Sequence, residues 1–90
     1  MDIEWSYEKN EILKQTRNIC FEDVEFIINS DEVIDIKQHP NLEKYPNQML
    51  LIVFLNDYTY YVPFVKTDNG FFLKNIIPSR KYHKIYASED

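Results

Sequence analysis

The sequence predicts an α+β domain in which two helices near the N-terminus pack on a twisted antiparallel β-sheet and a short helix closes the C-terminus. Three observations lead there. Apolar residues recur at helical spacing near the N-terminus, as in Phe21, Val24, Ile27 and Ile28. Residues 49–77 are instead dense in β-branched and aromatic side chains. Only one strong glycine turn, Asp68-Asn69-Gly70, punctuates that second half. Helices grouped ahead of an antiparallel meander are the pattern of an α+β fold. The 90 residues suit a single domain, 1–90, and leave no room for two cores.

The elements follow in order. Ile3-Glu4-Trp5 alternates apolar and polar, as a short strand does. Ser6 is a natural N-cap, and Glu8 falls in the first turn, where the helix dipole favours an anion. That helix should run for about ten residues and end near Asn18. Phe21 to Ser30 fits a second helix, and Val33 to Lys37 a short strand. His39-Pro40-Asn41 and Tyr45-Pro46-Asn47 read as turns, since proline removes a donor and biases its predecessor towards extended backbone. Met49 to Leu55 is a buried strand, Asn56-Asp57 a turn, and Tyr58 to Lys66 a second strand of the meander. Pro63 inside it points to an edge strand or a bulge. Phe71 to Ile77 forms the third strand, and Ser79 caps a last helix over Arg80 to Tyr86. The helices should cover one face of the sheet and leave the other partly open to a ligand.

Composition narrows the chemistry. A single glycine excludes a P-loop or a dinucleotide fingerprint. Cys20 is the only cysteine, so no internal disulfide and no cysteine-based zinc site is expected. The two histidines lack metal-ligand spacing, and no metal or cofactor is expected. The longest apolar run, Met49 to Leu55, is far below the roughly 20 residues of a membrane span, and the acidic N-terminus has no export signal. A cytoplasmic protein without a membrane partner is the expectation. The net charge of −5 is unevenly spread. Residues 1–46 hold eleven acids and five bases, whereas residues 74–84 hold four cations and no acid.

The N-terminal I-E-W-S-Y-E-K-N, the F-E-D-V after the first helix and the I-I-P-S-R-K before the last one resemble the BrnT family, toxin halves of bacterial type II toxin–antitoxin pairs. H-P-N-L-E-K-Y-P-N-Q and V-P-F-V are similar to a BrnT-like subgroup of small toxins. The likeness runs from Ile3 to Tyr86. It implies a RelE-like α+β fold and a metal-independent ribonuclease that cleaves mRNA, free or on the ribosome, and so inhibits translation. It also implies a cognate antitoxin, a small ribbon-helix-helix protein through which operator DNA is bound. Toxins of this superfamily are commonly basic and this chain is acidic, which leaves room for an inactive RelE-like binding module that serves with the antitoxin as a co-repressor.

Cleavage of RNA without metal uses the substrate's own 2′-hydroxyl as nucleophile. The protein must supply a proton acceptor, cationic or hydrogen-bonding stabilisation of the phosphorane, and a proton donor to the leaving oxygen. Arg80 is the first candidate, because it opens a helix capped by Ser79 where a guanidinium and free amides can meet a phosphate. On the bland alternative it is a solvated surface arginine. Lys74 interrupts the apolar F-F-L-K-N-I-I and, by strand alternation, shares a face with Phe72 and Ile76. It is a solvent-face lysine or a second catalytic cation. His39 is a third catalytic candidate, because an imidazole can serve as acid or base, although turn histidines are often structural. Lys44 and Tyr45, beside the Pro46 turn, are candidate RNA contacts, as are Lys81 and His83 on the last helix. Tyr58, Tyr60, Tyr61, Tyr82 and Tyr86 can stack on bases or simply build the core.

Overall fold

The sheet grows from one tight hairpin. Asn56 and Asp57 both adopt positive φ, 52° and 63°. This is the conformation of a two-residue type I′ turn, which asparagine and aspartate tolerate better than other side chains. It joins β3 (Met49–Leu55) to β4 (Tyr58–Lys66) in antiparallel register, with Leu55 opposite Tyr58 and Met49 opposite Phe64. The computed structural model describes residues 1–87. Around the hairpin it arranges β1 (Asp2–Trp5), β2 (Asp35–Gln38), β5 (Gly70–Leu73) and β6 (Ile77–Pro78) in one six-stranded sheet. The order is β1-β5-β4-β3-β2, with β6 paired to β4 beyond the end of β5. Helices α1 (Tyr7–Arg17) and α2 (Phe21–Asn29) separate β1 from β2, and α3 (Arg80–Tyr86) follows β6.

The α+β class and the three helices match the sequence. Four details of the sheet differ. The sheet is mixed, because β1 runs parallel to β5, with Asp2 opposite Gly70 and Trp5 opposite Leu73. A helix pair separates β1 from the rest of the sheet in sequence, so β1 can return to the far edge, where a parallel partner is free. The strand expected over Phe71 to Ile77 breaks after Leu73 and resumes only at Ile77. Pro63 lies in the interior strand β4, not on an edge strand. The break explains the proline. The Pro63 carbonyl accepts the Lys74 amide at 2.7 Å, so its nitrogen faces the same interrupted side, beyond the last ladder pair, Phe64 opposite Leu73. Finally, β2 starts at Asp35, while Val33 ahead of it packs against the core.

Two apolar clusters hold the layers together. Leu13 of α1 and Phe21, Val24 and Ile27 of α2 pack on Leu51, Val53, Val62, Phe64 and Leu73 on one face of the sheet. The opposite face carries a smaller cluster, Leu50 and Ile52 with Tyr82 of α3, flanked by Tyr61 and Tyr86. The second face is therefore only partly covered, and α3 forms one wall of what stays open. Tyr86 anchors that helix to the edge strand: its hydroxyl donates to the Asp35 carboxylate at 2.6 Å. This bond, with the Ile36 amide, holds the Asp35 pKa below its ordinary value and raises that of Tyr86. No helix among the described residues is long and apolar enough to cross a membrane.

Candidate functional site

The partly open face carries two adjoining hollows. The loop from β2 to β3 forms one rim. It turns at His39, whose amide donates to the Gln48 carbonyl at 3.2 Å. Its Nδ1 accepts the Asn41 amide at 3.1 Å, and its ring lies 4.3 Å from that of Tyr45. With Nδ1 accepting, the neutral imidazole carries its proton on Nε2. The other rim is the break between β5 and β6, followed by the start of α3. Arg17 fixes the break by donating from Nη1 to the Ile76 carbonyl at 2.6 Å, and Asn75 Oδ1 accepts the Ile76 amide at 2.8 Å. Ser79 starts α3 as expected, its hydroxyl oxygen accepting the Tyr82 amide at 3.1 Å.

The wider hollow, about 370 Å³, is lined by His39, Tyr45, Gln48, Tyr61, Pro63, Lys74, Asn75 and Ile77. The narrower, about 200 Å³, shares His39 and Tyr61 and adds Pro40, Leu50, Ser79, Lys81 and Tyr82. Together they form one groove with an imidazole and a tyrosine at its middle and one lysine to each side. Among the described residues no carboxylate lines either part. The lysine ammonium groups lie over aromatic rings, Lys74 Nζ 5.4 Å from the Phe72 centroid and Lys81 Nζ 5.6 Å from that of Tyr82. The rings attract the ammonium groups themselves, while both lysines stay exposed.

Four of the seven sequence candidates thus meet: His39, Lys74, Tyr45 and Lys81. Lys74 arrives by a different route from the one expected, since the strand ends at Leu73 and alternation does not extend to residue 74. The other three stand apart. Arg80 is exposed and lines neither hollow, although its neighbours Ser79 and Lys81 do. The amides expected to accompany it are partly used, that of Tyr82 by the Ser79 hydroxyl and that of His83 by the Ser79 carbonyl. Lys44 lies over the Tyr45 ring at 5.3 Å, outside the lining. His83 has a packing role, its Nδ1 3.0 Å from the hydroxyl of buried Thr59 and its ring stacked 4.3 Å from that of Tyr58.

Tyr61 is the shared wall, and sequence singled it out only as one of several tyrosines. Gln48 and Asn75 were not singled out at all. Their one signal is position, Gln48 following the Tyr45-Pro46 turn and Asn75 lying in the strand break, and the break itself is not legible from composition. Among the described residues no three of His, Cys, Asp and Glu gather as metal ligands would. No protein-family model matches the chain, and no curated protein or solved structure matches it either.

Proposed function

We propose that the groove binds single-stranded RNA and that the chain is the toxin of a type II toxin–antitoxin pair, a RelE-like and BrnT-like ribonuclease that cleaves mRNA without metal. One observation carries the reading: on a chain of net charge −5, a groove that no carboxylate lines among the described residues gathers two lysines and an imidazole around tyrosine rings. Phosphate oxygens take the ammonium groups of Lys74 and Lys81, and bases stack on Tyr45 and Tyr61. The 2′-hydroxyl gives its proton to water, its oxygen attacks phosphorus, the bond to the 5′-oxygen breaks, and a 2′,3′-cyclic phosphate and a 5′-hydroxyl result. The lysines stabilise the charge that grows on the phosphorane. His39 donates a hydrogen bond from Nε2 to the leaving 5′-oxygen, which takes its proton from water. Arg80 adds a cation beside Lys81.

A second reading is favoured by one specific feature. Among the described residues the groove holds a hydrogen-bond donor and cations, but no carboxylate or second imidazole to take the 2′-hydroxyl proton. A RelE-like module that binds without cleaving, and acts with a ribbon-helix-helix antitoxin as a co-repressor, needs no such group. Tightly controlled expression separates the two. The toxin reading expects growth arrest with fragmented mRNA, relieved in His39→Ala and in the Lys74→Ala/Lys81→Ala double variant. Undisturbed growth and intact mRNA, with a ribbon-helix-helix partner still copurifying, would establish the second reading. Cleavage at the wild-type rate in the double lysine variant would remove the groove as the site.

A further inference from the structure

We infer that the groove consists of two consecutive nucleotide subsites, one that reads its base and one that does not, with Asn75 and Gln48 selecting a keto base, guanine or uracil, on the Lys74 side. The inference rests on the RNA reading above and specifies its substrate. The two hollows meet at His39 and Tyr61, and each has a single lysine of its own. One cation per hollow matches one phosphate per nucleotide. The walls then divide the labour. On the Lys81 side they are Pro40, Leu50, Tyr61 and Tyr82, with Ser79 and the shared His39 the neutral hydrogen-bonding side chains among the described residues besides the tyrosine hydroxyls. Apolar and aromatic walls accept the π-face of any base and do not discriminate.

The Lys74 side is different, because two side-chain amides line it. Amides distinguish bases by the pattern of donors and acceptors on their edges. Asn75 Oδ1 accepts the Ile76 amide at 2.8 Å, so its Nδ2 donor is the end of the amide left without a partner among the described residues. A lone donor meets the carbonyl of guanine or uracil and is mismatched against the exocyclic amine of adenine or cytosine. The Gln48 side chain has no hydrogen-bond partner among the described residues, and its Oε1 is free to accept the imino N–H that sits beside that carbonyl in both keto bases. The two amides together complement a keto–imino edge.

The test uses short 2′-O-methyl RNA oligonucleotides, which bind but cannot be cleaved through the 2′-oxygen, with dissociation constants read by fluorescence anisotropy. Varying two adjacent bases in turn should show a preference for guanine and uracil of about two- to tenfold at one position and none at the other. Gln48→Ala should abolish much of that preference without weakening binding of the disfavoured bases. Asn75→Ala should do the same, and because it also frees the Ile76 amide, the glutamine variant guards against a folding artefact. Lys74→Ala and Lys81→Ala should each reduce the slope of log K against log salt by about 0.7 and leave the base preference intact. A preference of equal size at both positions, its survival in both amide variants, or a slope that responds to only one lysine would overturn the two-subsite reading while RNA binding stood. No binding of any oligonucleotide would remove the RNA reading itself.

Discussion

Asn10 joins the first two helices through one buried side chain. Its Oδ1 accepts the Phe21 amide at 2.7 Å, and its Nδ2 donates to the Glu22 carboxylate at 2.8 Å. Helix α2 has Cys20 at its N-cap, which makes no side-chain cap, so Asn10 supplies from α1 the cap that the local sequence lacks. Asn10→Ala leaves the Phe21 amide without an acceptor in the core. It should cost about 1–3 kcal/mol. In thermal unfolding, Tm should fall by about 4–8 °C for each kcal/mol. The same bond lowers the Glu22 pKa below its ordinary 4.5. A depressed carboxyl pKa stabilises the fold fully above the ordinary value and loses that contribution as pH falls through the folded one. The gap between wild type and Asn10→Ala should therefore narrow, though not close, in denaturant titrations taken progressively below pH 4.5. Residues whose partners are near in sequence were legible: Ser6 caps α1 through the Lys9 amide, and Asn18 ends it with φ 55°. Asn10 was not, because its partners lie 11 and 12 residues away and only the packing of two helices brings them close.

Whole elements are fixed by close approach as much as by propensity. Gly70 reads in the sequence as the glycine of a turn, yet its φ is not positive and it is the first residue of β5. Its lack of a side chain serves β1, since a Cβ at that point would collide with the Asp2 backbone carbonyl. Gly70→Ala should push β1 off the sheet edge at a cost of about 1–3 kcal/mol. Trp5 of β1 is the only tryptophan and stacks on Phe21 at 5.6 Å between ring centroids, so its fluorescence reports the change. The expected outcome is a red-shifted emission and faster amide exchange in β1, while β3 and β4 stay protected. Unchanged emission and an unchanged Tm would show that β1 tolerates the added methyl. The hairpin of β3 and β4 was legible because composition, alternation and the Asn-Asp turn agree. The break after Leu73 was not, because the residues that follow it, Lys74-Asn75-Ile76, are compatible with a strand. What holds them out of one is Arg17, which reaches the Ile76 carbonyl across 59 positions of sequence.

Across the whole molecule, charge is sorted so that the groove opposes the rest of the surface. The charge segregation along the chain was visible in the sequence, and so were His39, Tyr45, Lys74 and Lys81 as separate candidates. Their assembly was not, because it depends on the β2–β3 loop meeting the strand break over the uncovered face of the sheet. The net charge of −5 repels a polyanion at long range, while the lysines attract it at contact. These two effects act on different rates. Long-range repulsion slows association, and the local contacts set dissociation. Glu8 and Glu32 are exposed and line neither hollow, so Glu8→Gln/Glu32→Gln should bring the net charge from −5 to −3 without touching the site. Stopped-flow association with single-stranded RNA at low ionic strength should then be severalfold faster, with an unchanged dissociation rate. At about 0.3 M salt, where screening is complete within less than about 10 Å, the two proteins should associate equally fast. A changed dissociation rate, or an association rate indifferent to both charge and salt, would mean that the acidic surface and the groove do not act on the same ligand.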